Sequence, residues 1–414
     1  MLTAPTPPAG RPRSARPRAT AARLARGIAL LAAATAAAGA AAVPAAADTA
    51  PAADQAGAGG GAPAALLAPT GPRTVGTTTL HLTDESRADI WHPDAAVREL
   101  MVTVWYPAAR PTGHRADYMT PAESAATVES LGLDLPDDTF SEIRTHSFTD
   151  APVRATRGGW PMVLLSPGAG NSRTTLTTLA EDLASHGYVA VGVDHAYEAG
   201  PVEFPGGRVL GCDACAQDRW PEGTRNRAAD VSFVIDELTG PDAVWPGGRR
   251  VDTDRIGMAG HSAGGSAAAE VLRTDDRVGA GLNFDGPYYA PALEEGVEGP
   301  LGLIAGEPQP FGDSQEAMWP RQTGWRQWLV LTGSAHSSAT DRGVLVDRLG
   351  LRDQIPAEDI ANQYGTGDPE HLLRIVREYT TAFFTQHLRG SDQPVVRDPS
   401  GVHPELVVIG DEQG

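Results

Sequence analysis

From Trp160 onward, the apolar positions of this 414-residue chain gather into short unbroken runs separated by helical patterns. Met162–Ser166, Tyr188–Val193, Arg255–Ala259, Val278–Phe284, Leu301–Ala305 and Gln327–Leu331 each read as a strand covered on both faces, since a strand with one wet face would alternate. Between them, Arg173–His186, Arg225–Leu238 and Ala263–Arg273 read as helices, and Pro369–Arg389 as a closing helix. Strands alternating with helices build a mostly parallel central sheet with helices on both faces, an α/β architecture. Upstream, Thr77–Leu82 alternates as a strand, and Glu99–Pro107 is a more apolar one stopped by its proline. The segment Thr112–Arg157 is polar with one helical stretch near Ala122–Leu131; it either covers part of a site or is peripheral decoration.

The two ends of the chain carry a different texture. Arg11, Arg13, Arg16, Arg18, Arg23 and Arg26 precede an apolar run from Ile28 to Val43, and Ala45-Ala46-Ala47 follows as a small-residue cleavage site. This is the pattern of an export signal over residues 1–47, followed by an Ala/Gly/Pro linker over 48–70. A single catalytic domain is expected at 71–390, and a polar, Pro-rich tail at 391–414 whose run Leu406–Ile409 docks as a short strand. Removing six arginines and no carboxylate from a chain of net charge −19 leaves about −25. So acidic a surface disfavours nucleic-acid partners, and no stable membrane insertion is expected after cleavage. In an exported chain, the pair Cys212 and Cys215 is expected to form a local disulfide. With no second such pair there is no four-thiolate metal site.

Chemistry enters at Gly260-His261-Ser262-Ala263-Gly264, a G-x-S-x-G sequence that follows an expected strand and opens an expected helix. In that context Ser262 is the candidate nucleophile on a sharp turn, with small neighbours where strand and helix approach. A serine hydroxyl needs a base, and the base needs a carboxylate to fix its tautomer. Downstream histidines are His336, His371, His387 and His403. His371 and His387 fall in the closing helix and His403 in the tail, whereas His336 follows the last expected sheet strand, where a loop reaches the serine. Two carboxylates compete for the third role. Asp285 follows the strand after the nucleophile and is flanked by Gly286; Glu307 follows the next strand but is crowded by Pro308 and Pro310. Turn chemistry favours Asp285. Backbone N–H groups of Ala263 and of Ala169, in the Gly-rich loop Ser166–Asn171, are the candidate oxyanion hole. The Cys212–Cys215 loop and the segment near His195 are placed to shape the pocket, and Trp319, Trp325 and Trp328 form either a binding wall or core.

Val102–Ala108, the Ser166–Arg173 loop, Gly260–Gly265, Asn283-Phe284-Asp285-Gly286 and Gly333–Ser338 occur in this order. Together they resemble the plasma-type platelet-activating factor acetylhydrolases and their bacterial lipase-like relatives, over roughly residues 74–389. The resemblance implies an α/β-hydrolase fold, the triad Ser262, Asp285 and His336, and an oxyanion residue at Ala169. Pro167 and Ala169 depart from the His and bulky Leu of the animal enzymes, and their membrane-docking helices are not evident here. The expected protein is a secreted serine esterase or lipase acting on a small-molecule or lipid ester through an acyl-enzyme, without metal or organic cofactor. The alternatives are a polyester or cutinase-like hydrolase and an inactive binding protein of the same fold.

Overall fold

The computed structural model describes residues 63–240 and 242–412. The expected export segment, and the linker up to residue 62, lie outside the described residues. The strands are β1 (Val75–Asp84), β2 (Arg98–Pro107), β3 (Arg115–Asp117), β4 (Arg144–Thr149), β5 (Trp160–Ser166) and β6 (Val189–His195), followed by a separate hairpin of β7 (Val202–Phe204) and β8 (Arg208–Leu210). Then come β9 (Val251–His261), β10 (Val278–Phe284), β11 (Leu301–Ala305), β12 (Arg326–Leu331) and β13 (Leu406–Glu412). Among the described residues, eleven of these make one sheet in the order β13-β12-β11-β10-β9-β5-β6-β2-β1-β4-β3. From β6 through β5, β9, β10 and β11 to β12 every pairing is parallel; β2 and β13 pair antiparallel at its two ends.

The helices are α1 (Pro121–Leu131), α2 (Thr177–Ser185), α3 (Trp220–Thr239), α4 (Ala263–Thr274), the short α5 (Ala292–Glu295) and α6 (Gly312–Met318), α7 (Asp341–Arg348), α8 (Ala357–Tyr364), α9 (Pro369–Arg389) and the single turns α10 (Pro394–Arg397) and α11 (Pro399–Val402). Two apolar layers flank the sheet, and β5 shows why its run is unbroken. Val163 and Leu165 point into a cluster with Leu179 and Leu183 of α2 and Val376, Phe383 and Phe384 of α9. Met162 and Leu164 point the other way, into a cluster with Val231, Val234 and Ile235 of α3 and Ala267 and Val271 of α4. A strand covered on both faces has no polar position to offer.

Two boundaries differ from the sequence reading. The folded body begins before residue 71: Leu66 and Leu67, the only large apolar pair in the Ala/Gly/Pro stretch, are buried, and Leu66 N–H donates to Arg144 O at 2.9 Å. Thr70 is tied to the Asp182 carboxylate on α2 by its N–H at 2.7 Å and its hydroxyl at 2.9 Å. At the other end, the run Leu406–Ile409 docks as expected, but as the start of a longer strand, β13, with register Leu331↔Leu406 through Arg326↔Glu412, so the sheet extends into the residues read as a tail. Within 112–157, β4 and β3 extend the sheet beyond β1, and α1 is a well-capped helix. Thr120 and Glu123 satisfy each other's backbone N–H in a capping box, and Gly132 closes the helix in the left-handed region.

Candidate active site

Ser262 is the one residue between β9 and α4. Its φ of 54° and ψ of −118° lie in a sparsely populated region for a residue with a side chain, a strain that neighbouring structure must hold. Ser262 N–H donates to Phe284 O of β10 at 2.9 Å, and Ser262 O accepts from Gly265 N–H at 2.9 Å. Close approach demands glycine here: a Cβ on Gly264 would overlap the Ser166 carbonyl oxygen, and one on Gly286 the carbonyl of Ser262.

Asp285 leaves β10 with φ of 49°, so that chain turns sharply toward the end of β9. Its N–H donates to Ile304 O, and Asn283 braces the turn by accepting from Gly286 N–H at 2.7 Å and donating to Gly286 O at 3.1 Å. The buried carboxylate then accepts from Gly306 N–H at 2.9 Å through Oδ1 and lies 2.7 Å from His336 Nδ1 through Oδ2. Facing a carboxylate, Nδ1 carries the proton, which leaves Nε2 as the basic nitrogen. Glu307 is placed elsewhere. It is exposed and accepts from Gly333 N–H at 3.1 Å, bracing the loop that carries His336 and not its imidazole.

Several other bonds hold that loop. Ser337 N–H donates to Gln363 O at 2.7 Å, Thr366 and Gly367 N–H groups both reach Gly333 O, and Thr332 N–H donates to Glu405 O just before β13. A further contact was not anticipated: His261, inside the G-x-S-x-G sequence, donates from Nε2 to the carbonyl of His336 itself at 2.7 Å. Burial, and then the nearby His336, hold the His261 imidazole far below its ordinary pKa, so it stays neutral. Its only signal in the sequence was its place beside the nucleophile.

The candidate oxyanion loop runs on from β5. Asn171 N–H closes a turn onto Gly168 O at 3.1 Å, and Gly170 N–H donates to Glu198 O at 2.9 Å. The N–H groups of Ala169 and Ala263 have no acceptor among the described residues. Beside the loop lies a cavity of about 150 Å³, floored by Gly170, Asn171 and Ser172 and walled by Met119, Leu131 and Phe140 from the inserted segment and Leu345 and Tyr364 from α7 and α8. Arg342 reaches Asn171 Oδ1 at 3.0 Å from the same wall. The inserted segment is thus part of a pocket and not mere decoration. Cys212 and Cys215 are joined as a disulfide with Cα atoms 5.4 Å apart, and Cys215 lies against Gly170.

Two readings of the pocket left open by the sequence are now resolved. From the segment near His195, Gly200 and Pro201 line the cavity, whereas His195 itself is fully buried between Ser166 and Asp230. The three tryptophans are core: Trp325 packs on Phe383 and His387 of α9, and Trp319 on Trp328 under a guanidinium from Arg326.

α7 begins with a buried acid, Asp341, which accepts from Thr178 N–H on α2 at 3.3 Å. Burial pushes its carboxyl up to about 7; bonds from Thr178 offset part of this, and the nearby Glu181 carboxyl adds to it. Its folded pKa therefore lies above the unfolded value of 3.8, so the folded state holds a proton that the unfolded chain has lost. The stability this confers is complete below about pH 4 and is lost as pH rises toward 7. Asp341→Asn keeps the shape without the titration. Thermal denaturation is expected to show the variant drawing level with wild type near pH 4 and exceeding it above pH 7, by on the order of a few kcal/mol. A pH-independent difference would refute the assignment.

Parallel strands that deliver their carboxyl ends to a strained serine turn, under helices on both faces, make this an α/β-hydrolase fold. A family model of platelet-activating factor acetylhydrolase, isoform II, matches residues 64–202. A ferulic acid esterase from Streptomyces cinnamoneus has a solved structure that is 42% identical, with a TM-score of 0.77, over 84% of this chain and 99% of that one. A probable 1-alkyl-2-acetylglycerophosphocholine esterase of Arthroderma benhamiae is 27% identical over 83% of this chain and 93% of its own. Platelet-activating factor acetylhydrolase of Bos taurus is 24% identical over 49% of this chain and 52% of its own. The chain belongs to the platelet-activating-factor-acetylhydrolase-like family of α/β-hydrolases and is a carboxylic-ester hydrolase. Among the described residues, no helix is long and apolar enough to cross a membrane.

Proposed function

We propose that this is an exported serine esterase in which Ser262, His336 and Asp285 form the catalytic triad. The observation that carries it is the 2.7 Å contact of Asp285 Oδ2 with His336 Nδ1, on a loop tied by His261 to the strained serine turn. His336 Nε2 takes the Ser262 hydroxyl proton as Oγ bonds to the ester carbonyl carbon. The carbonyl oxygen becomes an oxyanion facing the Ala169 and Ala263 N–H groups, whose freedom from other acceptors supports that role. Collapse expels the alkoxide, which leaves with the proton from His336, and the acyl group stays on Ser262. Water repeats the sequence, giving the acid and restoring the serine.

The cavity beside the oxyanion loop supports a compact substrate. It measures about 150 Å³ and combines apolar walls with a few polar groups, Asn171, Ser172 and Arg342, the make-up of a site for a small ligand. The proposed substrates are esters with a short acyl chain or a single aryl group, in line with the acetyl and ferulic esters named for two of the relatives. Initial rates across p-nitrophenyl esters of increasing acyl length, with a hydroxycinnamate ester beside them, test this. Rates are expected to peak at short acyl or aryl groups. A maximum at ten or more carbons, or faster release from an insoluble polyester, would replace this reading with a lipase or a polymer hydrolase. Stoichiometric labelling by a fluorophosphonate, mapped to the peptide containing Ser262, tests the nucleophile.

A further inference from the structure

A second Ser-His-Asp array starts at Ser166, the residue before Pro167 of the oxyanion loop, and it is sealed. Ser166 Oγ, on the last residue of β5, is 3.0 Å from His195 Nε2 on the last residue of β6, and His195 Nδ1 is 2.8 Å from Asp230 Oδ2 on α3. All three side chains are completely buried, so no substrate reaches them. Burial keeps His195 neutral, aided by the Arg227 cation and only partly opposed by Asp230. On the Asp230 carboxyl burial acts upward, but Arg98 and the bond from His195 outweigh it and hold the carboxylate ionised. The proton assignment follows: Nδ1–H donates to Asp230, and Nε2 accepts from the Ser166 hydroxyl.

This array is one edge of a larger buried network. Arg98, on the first residue of β2, donates to Asp230 at 2.8 Å, to Glu198 at 3.2 Å, to Asp89 at 2.5 Å and to Ala196 O at 2.8 Å. Arg87 reaches Asp230 from the surface side at 2.8 Å. Glu198 also accepts from Trp91 Nε1 at 2.8 Å, Asn226 Nδ2 at 3.1 Å and Arg227 Nε at 2.7 Å. Burying so many charges has a large desolvation cost, and an apolar filling would often be as stable, so stability alone does not account for the arrangement. What the network holds is informative. Arg227 Nη1 donates to Pro167 O at 2.5 Å and to Ser166 Oγ at 3.3 Å. Glu198, whose carboxylate the same arginine grips, accepts Gly170 N–H on its backbone carbonyl at 2.9 Å. Both ends of the Pro167–Gly170 loop are therefore anchored, one by a guanidinium fork and one by a peptide carbonyl beside that fork's carboxylate. On its remaining side the loop abuts His261, whose Nδ1 would lie 2.8 Å from a Cβ on Gly168.

We infer that Arg227 is a positioning residue for catalysis: together with Glu198 and the buried Ser166–His195–Asp230 array, it fixes the Pro167–Gly170 loop so that the Ala169 N–H is aimed at the acyl oxyanion. The inference rests on the assignment of Ala169 to the oxyanion hole. Arg227 touches no substrate; it acts through the backbone. Since deleting a whole oxyanion donor costs about 10²–10³-fold in kcat, loosening one is expected to cost somewhat less.

The test is Arg227→Lys, which keeps the charge but lacks the planar fork that reaches Glu198 through Nε and Pro167 O through Nη1, with Ser166→Ala as a variant that removes only one hydroxyl. Each is compared with wild type on an oxygen ester and its thionoester, whose sulfur is a poor acceptor and so reports on oxyanion bonding. Circular dichroism and thermal denaturation confirm folding. For Arg227→Lys, kcat on the oxygen ester is expected to fall about 10²-fold with KM within twofold, and the oxygen-to-sulfur preference to shrink in proportion. Ser166→Ala is expected to show the same pattern at about 3–10-fold, and it decides the matter if the lysine variant does not fold. A folded variant with unchanged kcat, or one that loses activity while keeping the wild-type oxygen-to-sulfur preference, overturns the inference and leaves a merely structural network. Absence of any oxygen-to-sulfur preference in the wild type would instead refute the oxyanion assignment itself, and this inference with it.

Discussion

Ser262→Ala is expected to lower kcat on a short-chain ester by about 10⁶-fold, the scale seen when a triad serine is removed elsewhere. It is also expected to fold at least as well as wild type. Alanine lacks only the hydroxyl, and Ser262 Oγ bonds nothing among the described residues, so no structural contact is lost. The positive φ at this position is strained for alanine as for serine. Measured together, kcat and the denaturation midpoint separate the two contributions. A variant with an unchanged midpoint and residual turnover near the uncatalysed rate assigns the nucleophile. Substantial remaining activity would move it to another residue.

Asp285→Asn is expected to cost about 10⁴-fold in kcat, with KM little changed. The asparagine amide can still accept from Gly306 N–H, so the turn survives, but it cannot hold His336 in the Nδ1–H tautomer against a negative charge. Glu307→Gln is the control. Glu307 braces the Gly333 N–H and the amide oxygen of glutamine does the same, so a change of less than about threefold is expected. Should Glu307→Gln prove the more damaging, the triad acid is misassigned despite the geometry.

The central sheet and the helices on it were legible because they obey strong period rules. β10 and α9 were delimited to the residue, and β5 and β6 to within two at each end, since buried parallel strands are unbroken apolar runs and α9 has both caps, Asp368 and Gly390. β4 was not legible. Arg144-Thr145-His146-Ser147-Phe148-Thr149 buries threonine and serine rather than valine or leucine, with Glu181 of α2 accepting the His146 and Ser147 N–H groups, so a single apolar residue, Phe148, is too little to mark the strand. The pairing of His336 with Asp285 rather than Glu307 was accessible from turn chemistry: Asn283 and Gly286 build the turn that delivers Asp285. The charged network was invisible for a different reason. Arg98, Glu198, Arg227 and Asp230 come from three distant parts of the chain, and each alone reads as an ordinary surface charge.

The two halves of the proposed triad are secured over very different stretches of chain. Ser262 is fixed by Phe284 and Gly265, within one strand–helix–strand unit, whereas the His336 loop depends on Gln363, Thr366, Gly367 and finally Glu405. In folding-kinetic terms the nucleophile turn is a low-contact-order structure and the base loop is not, because its anchors require longer loop closures. On refolding, hydrolytic activity is therefore expected to return later than the bulk of the secondary structure, because it also needs the contacts between the β12 exit and the lead-in to β13.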